Sequence, residues 1–73
     1  MRIPTKKILD NTIFDKFLGI SEVFGTKYYQ FYSKTYDRGL VIAKYDTEYH
    51  VFVGDGVEYA KSNKELLEIV KQY

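Results

Sequence analysis

His50 is the one histidine in the chain and therefore the first candidate for acid–base or metal chemistry, since imidazole changes charge near neutral pH. Glu48 and Glu58 offer carboxylates that adjacent strands could bring to the same surface. Three such groups on a flat sheet lack the concave, water-excluding pocket that catalysis needs. A lone strand histidine among aromatic rings reads better as an interface residue, so no catalytic residue, no metal site and no cofactor is expected, and the chain is read as non-enzymatic. Gly54-Asp55-Gly56 contains a G-x-G, which in a phosphate-binding loop would open a helix. Here β-type sequence flanks it on both sides, and the hairpin-turn reading prevails.

The stronger lead is aromatic. Eight tyrosines and five phenylalanines occur in 73 residues, concentrated between Lys27 and Ala60. Tyr28, Tyr32, Val41, Tyr45, His50 and Phe52 are the candidate partner-binding residues. Tyrosine suits a protein interface because it buries a large rigid ring and still hydrogen-bonds through its hydroxyl.

Four strands must position these side chains: residues 27–34, 39–45, 48–53 and 57–60, rich in Tyr, Phe, Val and Ile and separated by turn-formers. A three-residue hairpin at Gly54-Asp55-Gly56 sets Val53 opposite Val57 and Val51 opposite Tyr59. A two-residue turn at Asp46-Thr47 pairs Tyr45 with Glu48, Ile42 with Val51 and Leu40 with Val53. A loop from Thr35 to Arg38 puts Phe31 opposite Ile42 and Ser33 opposite Leu40. Alternation then gives two faces. Tyr29, Phe31, Leu40, Ile42, Val51, Val53, Val57 and Tyr59 form a core face, with Lys44 near its end. Tyr28, Gln30, Tyr32, Val41, Ala43, Tyr45, Glu48, His50, Phe52 and Glu58 form a second face, too aromatic for plain solvent and too polar for a dry interior.

Before the sheet, residues 1–5 read as a flexible lead-in, because Pro4 biases Ile3 away from helix. Leu9, Ile13 and Phe17 recur at helical spacing, so a helix is expected from Ile8 to Leu18, starting at Thr5 or at Thr12 and ended by Gly19. Residues 20–25 suit either a loop or a short strand. After the sheet, Ser62-Asn63-Lys64-Glu65 fits a capping box opening a helix from Asn63 to about Gln72, with Leu66, Ile69, Val70 and Tyr73 as its apolar stripe.

The expected fold is α+β: one small domain over residues 1–73, in which a four-stranded antiparallel meander at about 27–60 packs against an N-terminal and a C-terminal helix. The N-terminal helix also competes for the second face. A formal charge of +1 offers no strong field for polyanions or acidic membranes, and the absence of cysteine excludes disulfides and thiolate chemistry. No window is long and apolar enough for a membrane span, which points to the cytoplasm. The expected function is docking of the aromatic face, or an exposed strand edge, onto another protein, as suits a phage or mobile-element product that inhibits or modulates a host protein. A homodimer is a further expected partner. A nucleic-acid module stacking bases on the same face is the alternative, weakened by the carboxylates placed there.

Overall fold

A computed structural model describes residues 2–73; Met1, part of the expected lead-in, lies outside the described residues. The elements run α1 (Thr5–Asn11), β1 (Lys16–Val23), β2 (Thr26–Ser33), β3 (Arg38–Lys44), β4 (Tyr49–Val53), β5 (Gly56–Ala60) and α2 (Asn63–Lys71). The strands form one antiparallel sheet in sequence order, so each pairs with its chain neighbour and β1 and β5 are the edges. The architecture is α+β as expected, with five strands in place of four.

The extra strand lies where the sequence suggests helix. α1 stops at Asn11 because Thr12 takes extended backbone, its hydroxyl donating to Ile8 O at 2.7 Å and accepting from Phe14 N at 3.1 Å. Phe14 then turns into the core and is fully buried. Phe17, assigned by spacing to a helix, opens β1 opposite Phe31, and Ile20 stands opposite Tyr29. Between them the register shifts by one residue, so Phe17 and Ile20 share a sheet face at a separation of three. A β-bulge thereby gives a strand the spacing of a helix. Gly19, expected to end the helix, sits in this bulge at φ +125, a conformation that a side chain would strain.

β2, β3 and β4 follow the expected pattern with one adjustment. Leu40 faces Val53 and Ile42 faces Val51, and Tyr45 N donates to Glu48 O at 3.0 Å across the Asp46-Thr47 turn. Between β2 and β3 the loop occupies residues 34–37, so Phe31 pairs with Leu40 and Tyr29 with Ile42, two residues from the expected register. A shift of two leaves every side chain on its face.

The last hairpin differs in a way that matters. Gly54 takes φ 61 while Asp55 keeps an ordinary negative value, so a two-residue turn suffices and Val53 pairs with Gly56. One residue fewer in the turn reverses the parity of β5. Val57 and Tyr59, expected in the core, lie opposite Phe52 and His50 and are 42% and 59% exposed. Glu58 and Ala60 take the other face, where Ala60 is fully buried opposite Tyr49.

Both helices pack on the same face. Ile8, Phe14, Leu66 and Val70 close a core with Phe31, Leu40, Ile42, Tyr49, Val51 and Val53. Ile3 joins it at 6% exposure, so the expected flexible lead-in is partly packed. α2 begins as its sequence dictates: Ser62 Oγ accepts from Glu65 N at 3.1 Å, and the Glu65 carboxylate accepts from Lys61 N at 2.6 Å. Leu66 and Val70 are its buried residues, with Ile69 and Tyr73 packed beside them. Tyr49, the largest fully buried side chain, donates its hydroxyl to Asn63 Oδ1 at 2.6 Å, and Asn63 Nδ2 donates to Arg2 O at 2.8 Å. One amide thus joins sheet, helix and N-terminal segment. Among the described residues no helix is long and apolar enough to cross a membrane.

Candidate aromatic sheet face

With both helices on one side, no element among the described residues lies over the opposite side of the sheet. The pairing arranges its side chains in rows across the strands. One row runs Ser21, Tyr28, Ala43, His50, Tyr59, and the next runs Gly19, Gln30, Val41, Phe52, Val57. Tyr32 stands beyond the second row opposite Gly39. All six residues singled out from sequence, Tyr28, Tyr32, Val41, Tyr45, His50 and Phe52, share this face. Tyr59 and Val57 extend it to the β5 edge and are its members missed by sequence reasoning. Their signal was weak, because β5 carries apolar residues at both parities and only the turn length decides between them.

His50 is the hub of the first row. Its ring centroid is 4.3 Å from that of Tyr45 in a tilted contact and 4.7 Å from that of Tyr59 edge-on. These are favourable geometries for aromatic pairs. Its Nε2 lies 2.6 Å from Glu48 Oε2, the only ion pair among the described residues when the imidazole is protonated. The small Ala43 is fully buried in the row, which lets larger neighbours close over it.

The hydroxyls of Tyr32 and Tyr45 have close polar neighbours. Partial burial, with the neighbouring Tyr28 and Glu48, pushes the Tyr45 phenol above its usual value of 10.0. Tyr32 donates to the Asp37 carboxylate, and this bond pushes its phenol up in the same way. Gln30 Nε2 donates to Ser21 Oγ at 2.5 Å, fixing the amide between β1 and β2. Gln30, Tyr32 and His50 thus meet partners within the face, while the Tyr59 hydroxyl is open to solvent and Phe52, 40% exposed, and Val57 offer apolar surface between them. Such a surface combines apolar area with a free hydroxyl at the β5 edge, the mix of groups found at protein interfaces.

The histidine–carboxylate cluster considered from sequence does not assemble. Glu58 projects from the helix side, where Tyr73 donates its hydroxyl to Glu58 Oε2 at 2.5 Å, and this bond holds the Tyr73 phenol above its usual value. His50 is left with Glu48 alone on an open surface. Among the described residues no group of three His, Asp or Glu side chains stands close enough to hold a metal ion. The depression lined by Arg2, Pro4, Lys6 and Leu9 lies near the N-terminal segment, away from the aromatic rows.

No protein-family model, curated protein or solved structure matches this chain.

Proposed function

We propose that the chain is a non-enzymatic binding domain whose open aromatic face docks on another protein and modulates it, as a phage- or mobile-element-encoded effector of a host protein would. The observation that carries this reading is the exposed Tyr45, Tyr59, Phe52 and Val57, grouped around a partly buried His50 on a sheet face that neither helix covers. Large aromatic side chains, tyrosine among them, concentrate binding energy in protein interfaces. A host protein in the cytoplasm is the partner this reading implies. Base stacking is less well supported, because Glu48 and Asp37 place carboxylates at the face and Lys16 is the one cation in its paired rows.

The test compares wild type with a Phe52→Lys, Tyr59→Glu double variant as affinity baits in bacterial lysate with and without nuclease treatment. A stoichiometric protein retained by wild type and lost by the folded double variant supports the reading. Retention that disappears on nuclease treatment, or is unchanged in the variant, overturns it.

A further inference from the structure

The two edges of the sheet are built differently. β5 is a five-residue edge carrying Glu58. β1 is eight residues long and displays Leu18, Ile20 and Val23, all at least half exposed, followed by a fully exposed Phe24 at the tip of the β1–β2 hairpin. Phe24 takes φ 50 and Gly25 φ 80, a turn in which both central residues are left-handed. Asn, Asp or Gly usually fill its first position, and a phenylalanine there is strained. Here the Phe24 ring is exposed beside an unpaired strand edge that the bulge at Gly19 and the charges of Lys16 and Glu22 protect only in part, leaving Ile20 and Val23 open.

We propose that β1 pairs antiparallel with β1 of a second copy about a twofold axis at Ser21, joining two five-stranded sheets into one of ten. Backbone parity, charge and the bulge select this register. In a two-residue hairpin the closing pair, Val23 and Thr26, exchanges both backbone bonds, so by alternation Ser21 and Gly19 aim theirs at β2 while Ile20 and Glu22 aim theirs outward. Twofold pairing must match outward groups with outward groups, which leaves the axis on Gly19, Ile20, Ser21 or Glu22. An axis on Glu22 sets two carboxylates directly opposite each other, a destabilising arrangement. Axes on Gly19 or Ile20 run the ladder through the bulge between Phe17 and Gly19. On Ser21, Ile20 exchanges both bonds with Glu22 of the second copy, Gly19 stands opposite Val23, and Phe24 comes level with Leu18.

Leu18 and Phe24 of the two copies then stand opposite each other in both halves of the contact, Val23 closes over Gly19, and each Glu22 lies beside Ile20 and away from its own symmetry mate. A second copy is the occupant that supplies this register with outward backbone groups matched throughout. The contact involves one strand per copy, at the small end of stable interfaces, so the dimer is concentration dependent. It does not use the aromatic face; it places two such faces side by side on one sheet.

Light scattering at high micromolar concentration tests this inference on wild type and on Glu22→Pro, whose missing N–H points away from β2 and leaves the hairpin ladder intact. Wild type is expected to be dimeric and Glu22→Pro monomeric with unchanged circular dichroism. Ile20→Lys is the second variant, with the same expectation, should the proline disturb the strand. The chain has no cysteine, so a Ser21→Cys variant places one thiol at the axis. Opposed non-hydrogen-bonded residues have Cα atoms about 4.5 Å apart, within disulfide reach. Oxidation should link Ser21→Cys into covalent dimers in high yield and link Ile20→Cys or Glu22→Cys poorly. A monomeric wild type, a dimer that survives both edge variants, a dimer lost in Phe52→Lys, Tyr59→Glu, or preferential linkage at position 20 or 22 overturns the proposal. Binding of an extended segment of another protein in place of a second copy gives a monomeric wild type and counts against it.

Discussion

The helix-covered and open faces of the sheet are made of different apolar groups. The covered face relies on Phe31, Leu40, Ile42, Val51 and Val53, with Tyr49 as its buried hydroxyl. The open face relies on Tyr28, Tyr32, Tyr45, His50 and Tyr59 around Phe52. Aliphatic groups gain most by leaving water completely, whereas a hydroxylated ring loses little when half of it stays wet. The difference teaches that aromatic density alone does not locate a core; the polar atom on each ring, and what satisfies it, separates interior from surface.

Truncations should expose this asymmetry most strongly. Phe31→Ala is expected to cost about 3–5 kcal/mol and Ile42→Ala about 2–4 kcal/mol, comparable to the whole stability of a domain this small, while Phe52→Ala costs less than about 1 kcal/mol. Urea midpoints of the three variants would show it. Equal losses on both faces would mean that something covers the open side.

A smaller effect tests the hydroxyl inside the covered face. Tyr49→Phe removes the bond to Asn63 and should cost about 1 kcal/mol. Burial, reinforced by the nearby Tyr29, raises the Tyr49 phenol above 10.0, so the folded state holds its proton after the unfolded chain has lost it. The associated stability is full below about pH 10 and falls as pH climbs through the folded value. Denaturation at pH 9 and pH 11 should show a smaller alkaline loss in Tyr49→Phe than in wild type; an identical loss would place the titration elsewhere.

The smallest change concerns His50. His50→Gln keeps a polar group beside Glu48 and should move stability by less than about 0.5 kcal/mol, as surface substitutions do. Its expected effect is on the affinity of whatever docks against Tyr45 and Tyr59, read by titration calorimetry once that partner is in hand. A hydrolytic activity that vanishes in this variant would reverse the assignment of His50 to the interface.

Much of the covered face is legible in the sequence, because Leu40, Ile42, Val51 and Val53 alternate strictly and the Asp46-Thr47 turn admits one register. The second helix is legible from Ser62, Glu65 and its apolar stripe. The first strand is hidden because the bulge at Gly19 spaces Phe17 and Ile20 as a helix would, and because Thr12, readable as the start of a helix, instead ends one. The candidate face is legible for its six central residues, whose parity survives even the two-residue shift between β2 and β3. Its β5 border is not, since a two-residue turn takes its positive φ at Gly54 and a three-residue turn would take it at Gly56, and glycine stands at both.

The bond between Asn63 Nδ2 and Arg2 O spans 61 positions along the chain, while every strand pairing in this meander closes a local hairpin. Local loops close at low entropic cost and long ones later, so hairpins are expected to form early in folding and this bond to form among the last. In the reverse direction, release of the N-terminal segment strips one partner from the amide that also holds Tyr49, and loosens Ile3 from the core. Fraying at that end therefore propagates to β4, and amide exchange in α2 and β4 should slow or quicken together with exchange at Thr5, whose N–H donates to Ile3 O.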